Sequence, residues 1–291
     1  MPSMTDPAAS GTGVELRYGD HIAIASSDFT IPAGGSTAVI GPNGSGKSTV
    51  LAAIAGVHKP TAGTITVLGT TPERARAHVA FVPQSTKVND ALPVTVREVV
   101  MMGRYPSLGL LRRFTPADRA AVEAAMDQLD LIGLATRHVS ELSGGQRQRV
   151  FVAQGLAQDR QLLLLDEPMT ALDATSASIV DAVIRGERNE GRTVILTTHD
   201  LAEAEQCDHV LLVGGRVVSQ GTPDEVLTAA VLSEVYRTQV LDVEGTLLFD
   251  DPAHATHGAR HVHSDRASQT HPHAESLPDG GEPGETGQSK D

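Results

Sequence analysis

The sequence predicts an α/β fold with a largely parallel central sheet. Three continuous apolar runs, at residues 36–40, 161–165 and 193–198, support this prediction, because parallel strands are covered by helices on both faces and lack an alternating pattern. A further apolar run at 210–213 is separated from the valines at 217–218 by a Gly-Gly pair. This last pattern predicts a hairpin.

Helix-start signals stand between the strands. Thr115 has the properties of an N-cap, with Pro116 at the first helical position and Asp118 in the first turn. Thr222 repeats this pattern, with Glu225 at the position that completes a capping box. Both stretches therefore predict the beginning of a helix.

Composition and charge narrow the class of protein. The chain has 291 residues, of which 40% are hydrophobic, enough for a substantial buried core. Its 36 acidic and 23 basic residues give a net charge of −13, which argues against non-specific binding of nucleic acid. The single cysteine, Cys207, excludes a disulfide framework and a thiolate zinc cluster. With no membrane-spanning run and no secretion signal in the sequence, we expect a soluble, cytoplasmic protein.

Three regions follow from the change in composition along the chain. Residues 1–13 are small, polar and proline-containing, and we expect them to form a loose leader. Residues 14–250 carry the strand and helix signals and are predicted to fold. Residues 251–291 have almost no large apolar side chains and hold six of the twelve histidines. This tail cannot bury enough surface to offset its ordering entropy, so we expect it to be disordered.

A glycine-rich loop directly follows the apolar run at 36–40. We call it the phosphate loop; it consists of Gly41, Pro42, Asn43, Gly44, Ser45, Gly46, Lys47, Ser48 and Thr49. Strand, glycine-rich loop and helix start form the context in which successive backbone N–H groups cradle phosphate oxygens. Lys47 is predicted to contact the β- and γ-phosphates of a nucleotide, and the Ser48 hydroxyl to ligate Mg²⁺.

Two acidic residues end the apolar run at 161–165. A buried strand delivers Asp166 and Glu167 to its C-terminal edge, where ligands bind in α/β folds. We predict that Asp166 holds Mg²⁺, directly or through water, and that Glu167 polarises the attacking water as general base. An apolar strand ending in two acids is also common as a purely structural feature, so this prediction depends on the phosphate loop upstream.

A third motif, which we call the signature, comprises Leu142, Ser143, Gly144, Gly145 and Gln146. With it the chain resembles the ATP-binding subunits of ATP-binding-cassette (ABC) transporters over about residues 14–226. The family's motifs occur in its order: the phosphate loop, a glutamine loop ending at Gln84, the signature, the acidic strand, Asp173, and His199. The resemblance implies a P-loop NTPase (RecA-like) core with a small antiparallel β-lobe and an α-helical signature lobe at about residues 85–145.

The resemblance also implies how the cassette works. Two cassettes would form a head-to-tail dimer with two ATP molecules between them, and the signature of each would bind the γ-phosphate held by the other. Gln84 would touch Mg²⁺ and the attacking water and sense a membrane partner. His199 would contact the γ-phosphate, Asp173 would communicate across the dimer, and Tyr18 would stack on adenine. An edge-strand tyrosine that only packs on the β-lobe is the alternative for Tyr18.

A transporter subunit is favoured among the members of this family. The segment between Gln84 and Leu142 is too short for the coiled-coil insertion of members that work on DNA, and the chain has one set of motifs, without an internal repeat. The implied partners are a transmembrane permease, a second cassette and, indirectly, a periplasmic or extracellular binding protein. The expected location is the cytoplasmic face of the membrane. The runner-up is a soluble ABC ATPase similar to the iron–sulfur assembly type.

The transported substrate is predicted from two regions. Residues 92–105 and 108–113 resemble the helical lobe of zinc/manganese importers, although siderophore and cobalamin importers carry a related Gly-Arg-Tyr segment. The tail offers imidazole nitrogens that suit Zn²⁺ better than Mn²⁺, as candidate zinc ligands His254, His257, His261, His263, His271 and His273. A solvated tail without a ligand is the alternative. We expect an importer of divalent metal ions, zinc first and manganese second.

Overall fold

The computed structural model describes residues 6–84, 93–108, 113–236, 241–243 and 246–248. The strands in these ranges are β1 (Ala9–Tyr18), β2 (His21–Ile31), β3 (Ser36–Ile40), β4 (Ala62–Val67), β5 (Val79–Val82), β6 (Leu162–Asp166), β7 (Thr193–Thr198), β8 (His209–Val213), β9 (Val217–Gly221), β10 (Leu241–Val243) and β11 (Thr246–Leu248). The α-helices are α1 (Lys47–Ile54), α2 (Pro72–Ala75), α3 (Val96–Met102), α4 (Tyr105–Leu108), α5 (Pro116–Gln128), α6 (Gly144–Leu156), α7 (Ala174–Asn189), α8 (Leu201–Glu205), α9 (Pro223–Val226) and α10 (Ala229–Tyr236).

The main sheet has the strand order β5-β6-β7-β3-β8-β9. Its first five strands are parallel, and β9 pairs antiparallel with β8 as the predicted hairpin. Strands β3, β6 and β7 are buried at every residue, as expected for central strands covered on both faces. The predicted α/β fold with a largely parallel sheet is therefore confirmed.

A second sheet has the order β2-β1-β4 and is antiparallel throughout. Its inner face carries Leu16, Ile24 and Phe29, which pack in one cluster with Val50 and Leu51 of α1. This sheet is the predicted antiparallel β-lobe. Because its apolar face packs on α1, the lobe is tied to the helix that follows the phosphate loop.

Helices α3, α5 and α6 form a third packing unit. Their apolar faces meet through Val96, Val122, Met126 and Val150, all buried, within the larger of the two core clusters. The predicted N-caps at Thr115 and Thr222 both form capping boxes in the structure. Residues 85–92 and 109–112 of the predicted helical lobe lie outside the described residues.

The predicted loose leader at residues 1–13 is too long. Strand β1 begins at Ala9, and both Ala8 and Ala9 are fully buried. The small polar residues from Ser10 to Gly13 belong to β1, which lies between β2 and β4, and this pairing was not visible from their composition. The chain divides into units of residues 1–256 and 257–291, and every described residue belongs to the first. The histidine-rich tail lies outside the described residues.

Candidate active site

The phosphate loop connects β3 to α1, which begins at Lys47. Two of its glycines have backbone conformations that disfavour other residues: φ is +149° at Gly41 and +104° at Gly46. A Cβ at Gly41 would lie 2.0 Å from the carbonyl oxygen of Val213, and one at Gly46 would lie 2.4 Å from Ile24. The loop therefore needs glycine both for its curl and for the close approach of its neighbours.

Lys47 lies inside this curl and is only 5% exposed. Its Nζ donates to the carbonyl oxygen of Gly41 at 2.8 Å and to that of Pro42 at 3.2 Å. The loop thus folds back over its own ammonium group. A positive charge beside the N-terminus of α1 creates a local anion site in a chain of strongly negative net charge.

The acidic strand reaches the phosphate loop through Ser48. The Ser48 hydroxyl donates to Asp166 Oδ1 at 2.9 Å, and the Thr197 hydroxyl donates to the same oxygen at 2.6 Å. Thr197 Oγ1 also accepts from the backbone N–H of Glu167 at 2.8 Å. One connected network therefore joins the phosphate loop, β6 and β7.

Glu167 follows β6 in the left-handed conformation, with φ of +48°. Its Oε2 accepts a hydrogen bond of 2.6 Å from Gln84 Nε2 and one of 3.2 Å from Thr170 Oγ1. A non-glycine residue at positive φ is held there by its surroundings, and such strain occurs often at functional sites. The two contacts orient the carboxylate that the sequence predicts to be the general base.

His199 follows β7, the strand between β6 and β3 in the sheet order. The residues on both sides of this half-buried histidine are hydrogen-bonded: Asp200 N donates to Thr198 Oγ1 at 3.0 Å, and Thr198 Oγ1 donates to Glu203 Oε2 at 2.6 Å. Burial raises the pKa of Glu203 above its usual value, although its bond with Thr198 opposes this shift. Gln84, Glu167, His199 and Gly41 thus follow the C-terminal ends of four adjacent strands, as ligand-binding residues do in α/β sheets.

A cavity of about 280 Å³ opens at this edge of the sheet. It is lined by the phosphate loop from Asn43 to Thr49 and by Tyr18, His21, Ala23, Gln84 and Glu167. Tyr18, one of these lining residues, is 54% exposed. Its ring lies against that of His58, with centroids 4.5 Å apart and an angle of 32° between the planes. The cavity joins an aromatic wall to a phosphate-binding loop.

The signature lies apart from this cavity, at the start of α6. Ser143 is the N-cap and forms a capping box with Gln146. A Cβ at Gly145 would lie 2.8 Å from Ser176 Oγ and 2.9 Å from Asp173 Oδ2. Bonds from the backbone and hydroxyl of Ser176 lower the pKa of Asp173. None of the signature residues lines the cavity beside the phosphate loop of the same chain.

The oxygens around Ser48 fit a magnesium ion. Ser48 Oγ and Asp166 Oδ1 are 2.9 Å apart, which is about the separation of neighbouring oxygens in an octahedral shell with bonds of about 2.0–2.1 Å. Carboxylate, hydroxyl and amide oxygens are the donors that Mg²⁺ prefers. Among the described residues there is no group of three or more His, Cys, Asp or Glu that could hold a metal ion. An ion here would therefore take much of its coordination from a bound nucleotide and from water.

Similarity to known proteins identifies the family of this chain. A family model described as ABC transporter matches residues 24–170. The chain belongs to the ABC transporter family. This ABC transporter subunit is 37% identical over 221 residues to the manganese transport system ATP-binding protein MntA of Synechocystis, covering 74% of the present chain and 85% of MntA. Like the family's ATP-binding subunits, it binds and hydrolyses ATP to drive transport.

Further relatives extend the comparison. The ABC transporter subunit is 36% identical to the zinc transport system ATP-binding protein TroB of Treponema pallidum, covering 80% of the present chain and 88% of TroB. It is 35% identical to the chelated iron transport system membrane protein YfeB of Yersinia pestis, covering 86% of each chain. A bacterial ABC transporter cassette solved as a dimer matches 74% of the subunit and 98% of its own chain, with a TM-score of 0.65 and 26% identity.

Two contacts in the site of this ABC subunit were not predicted from its sequence, although Thr197 belongs to the family motif that contains His199. Thr197 contacts both Asp166 and Glu167, and His58 backs the ring of Tyr18. A signal for Thr197 was present, since two hydroxyl residues end an otherwise apolar buried strand. His58 gave no signal, because only the tertiary fold brings it beside a residue forty positions earlier.

Proposed function

We propose that this subunit energises a membrane importer of divalent metal ions, with zinc the preferred substrate and manganese the second. The observation that carries the proposal is that relatives at 35–37% identity are named as ATP-binding or component proteins of manganese, zinc and chelated iron transport systems. Zinc is placed first because the tail holds six histidines, at positions spaced for imidazole ligation. An importer of iron–siderophore or cobalamin-type substrates is the second candidate, and the Yersinia relative, named for chelated iron transport, supports its iron branch.

The first step of the proposed cycle is nucleotide binding. The adenine would stack on Tyr18, and the phosphates would lie in the phosphate loop against Lys47 and the start of α1. Base stacking of this kind contributes about 1–3 kcal/mol. Because the loop and the aromatic wall line one cavity, a single nucleotide can reach both.

The second step is attack by water on the γ-phosphate. Glu167 would accept the proton of this water, while Gln84 holds the Glu167 carboxylate and contacts the same water. His199 would contact the γ-phosphate from the adjacent strand end. Ser48, Asp166 and Gln84 would hold Mg²⁺, which when bound neutralises phosphate charge. Lys47 would stabilise the charge that develops on the transferred group.

A second cassette would complete the site. The solved dimer of a similar cassette supports this proposal, as does the position of the signature outside the cavity of its own chain. Ser143 and Gly145 at the start of α6 would present hydroxyl and N–H groups to the partner's γ-phosphate. Asp173, which lies beside Gly145 and is hydrogen-bonded to Ser176, would link the two half-sites.

The proposed location is the cytoplasmic face of a membrane, beside a permease that the dimer drives. No helix within the described ranges could span a bilayer, so attachment would be peripheral and through the permease. A periplasmic or extracellular binding protein would deliver the metal to the permease from the other side. Nucleic acid is not an expected partner, given the net charge of −13.

Metal uptake in a deletion strain tests the proposed function directly. Accumulation of ⁶⁵Zn²⁺ and ⁵⁴Mn²⁺ should fall when the gene is deleted and should return with the wild-type gene but not with Glu167→Gln. Loss of chelated-iron uptake alone would favour the second candidate. Normal uptake of all three substrates, together with co-purification with soluble scaffold proteins, would contradict the transport proposal in favour of the iron–sulfur assembly type.

The dimer is tested by complementing two defective chains. Ser143→Arg should abolish hydrolysis while leaving ATP binding largely intact, and Lys47→Ala should lose nucleotide affinity. A mixture of the two should recover at most one competent half-site, formed by the wild-type phosphate loop of one chain and the wild-type signature of the other. Full activity in a monomeric preparation, checked by light scattering, would contradict the head-to-tail arrangement.

The tail is tested by calorimetry on the full chain. Zinc binding should weaken when all six tail histidines are replaced by serine, and also when the pH falls from 7.5 to 5.5, because imidazole must be neutral to bind metal. ATP hydrolysis should not change, since residues 251–291 contain none of the residues proposed to bind or hydrolyse ATP. Equal zinc binding by the two proteins would remove the reason for placing zinc before manganese.

A further inference from the structure

A single buried hydroxyl joins the two acidic residues of the site. Thr197 is fully buried, and its Oγ1 donates to Asp166 Oδ1 at 2.6 Å while it accepts from the backbone N–H of Glu167 at 2.8 Å. Asp166 and Thr197 are paired across the sheet, on β6 and β7. The hydroxyl therefore bridges the carboxylate of one acid and the main chain of the next.

These two hydrogen bonds hold the Asp166 carboxylate and the backbone of Glu167 in place. The peptide of Glu167 is strained, with φ of +48°, and its N–H would lose its acceptor if the hydroxyl were removed. Asp166 Oδ1 also accepts from Ser48, so the hydroxyls of Thr197 and Ser48 hold the same carboxylate oxygen.

We infer that Thr197 is a positioning residue for ATP hydrolysis: its hydroxyl sets the direction of the Asp166 carboxylate and the strained backbone from which Glu167 projects. The inference rests on the roles proposed above for these two acids. Thr197 does not line the nucleotide cavity, so its loss should change the rate of hydrolysis and leave ATP affinity nearly unchanged.

The same strand supplies a matched control. Thr193 lies at the opposite end of β7, is 3% exposed, and accepts a hydrogen bond of 2.9 Å from the backbone N–H of Gly34. Like Thr197, it is a buried threonine whose hydroxyl accepts a hydrogen bond from a backbone N–H. It differs in lying at the opposite edge of the sheet from Asp166 and Glu167. Thr193→Val therefore measures the effect on stability of removing a buried threonine hydroxyl that is not near Asp166 and Glu167.

The experiment compares Thr197→Val, Thr197→Ala, Thr197→Ser and Thr193→Val in the full-length protein. We would measure kcat and KM for ATP at saturating Mg²⁺, equilibrium binding of a fluorescent ATP analogue, and thermal unfolding. Thr197→Val and Thr197→Ala should lower kcat about tenfold or more, with the dissociation constant within about twofold of wild type. Thr197→Ser keeps the hydroxyl and should restore most of the rate. Thr193→Val should lower the unfolding temperature without lowering kcat.

Three results would overturn the inference: a wild-type kcat in both Thr197→Val and Thr197→Ala, a Thr197→Ser protein as slow as Thr197→Val, or a Thr193→Val protein that loses as much kcat as Thr197→Val. Glu167→Gln is measured alongside to separate this inference from the proposed function. An inactive Glu167→Gln with a fully active Thr197→Val contradicts only the positioning role. A fully active Glu167→Gln contradicts the role proposed for the acid itself, and the positioning inference falls with it.

Discussion

The side-chain amide of Gln84 donates a 2.6 Å hydrogen bond to Glu167 Oε2, although the two residues are 83 positions apart. The contact exists because Gln84 follows β5 and Glu167 follows β6, and these strands are paired with Val82 beside Leu165. The orientation of the predicted general base is thus coupled to the glutamine loop by one hydrogen bond. A movement of Gln84 would therefore change the position of the Glu167 carboxylate directly.

Glu167→Gln should slow ATP hydrolysis by about 10²–10⁴, because an amide cannot accept a proton as a general base does. Nucleotide binding should persist, since the phosphate loop and Lys47 are unchanged. Single-turnover hydrolysis and binding of a fluorescent ATP analogue measure the two effects separately. Glu205→Gln, an exposed change on α8, is the control and should retain full activity. Wild-type turnover by Glu167→Gln would exclude this carboxylate as the base.

Tyr18→Ala should weaken ATP binding by about 1–3 kcal/mol, the usual contribution of base stacking on an aromatic ring. Tyr18→Phe keeps the ring and should bind ATP nearly as tightly as wild type. The measurement is the dissociation constant for ATP and, in parallel, for inorganic triphosphate, which has no base. A similar loss of triphosphate affinity in Tyr18→Ala would show that the residue supports the loop instead of the base.

Gly41→Ala and Gly44→Ala distinguish two reasons for glycine in the phosphate loop: a positive φ, and the close approach of a neighbouring backbone. Both positions have positive φ, but a Cβ at Gly41 would lie 2.0 Å from the Val213 carbonyl oxygen, whereas one at Gly44 has no neighbour within 4 Å. Gly41→Ala should therefore lower the unfolding temperature and abolish ATP binding. Gly44→Ala should be the milder change in stability, since it adds only backbone strain. Equal unfolding temperatures for the two variants would contradict the close approach at Gly41.

Acid stability should depend on Asp118. The Thr115 hydroxyl and backbone N–H, together with the Arg104 guanidinium, lower the pKa of this carboxyl to about 2. Its unfolded pKa is near 3.9, so the ionised form stabilises the fold fully above about pH 4, and this contribution is lost as the pH falls toward 2.

Asp118→Asn provides the comparison. The difference in free energy of unfolding between wild type and this variant should be constant from pH 7 to about pH 4 and should shrink below that. Urea denaturation at a series of pH values measures it. Asp127→Asn, on the same helix, is the control. A difference that shrinks already between pH 7 and 5 would show that another group is responsible.

Much of the molecule followed from local sequence. Apolar runs predicted the buried strands β3, β6 and β7, and the caps at Thr115 and Thr222 form as expected. These predictions are correct because burial on both faces of a strand and hydrogen bonds in the first turn of a helix depend on only a few neighbouring residues. The glycine spacing around Lys47 likewise predicted the phosphate loop, since its curl needs conformations that only glycine adopts easily.

The predicted leader is the region where local composition gave the wrong structure. Residues 10–13 are small and polar, and composition alone predicted that they would be loose. They form part of β1 because β2 and β4 lie on either side and satisfy its backbone. Such pairing depends on partners distant in the chain, and a short polar strand carries no pattern that reveals them.

The sequence by itself determined the family, the order of the motifs and the residues proposed to bind phosphate and activate water. Only the tertiary structure decided that Thr197 holds both acids, that His58 lies against Tyr18, and that the signature stands outside its own chain's cavity. The physical reason is the range of the interactions. Glycine conformations and helix caps are local, whereas a hydrogen bond between strand ends or a contact between rings depends on the strand order, which sums contributions from the whole chain.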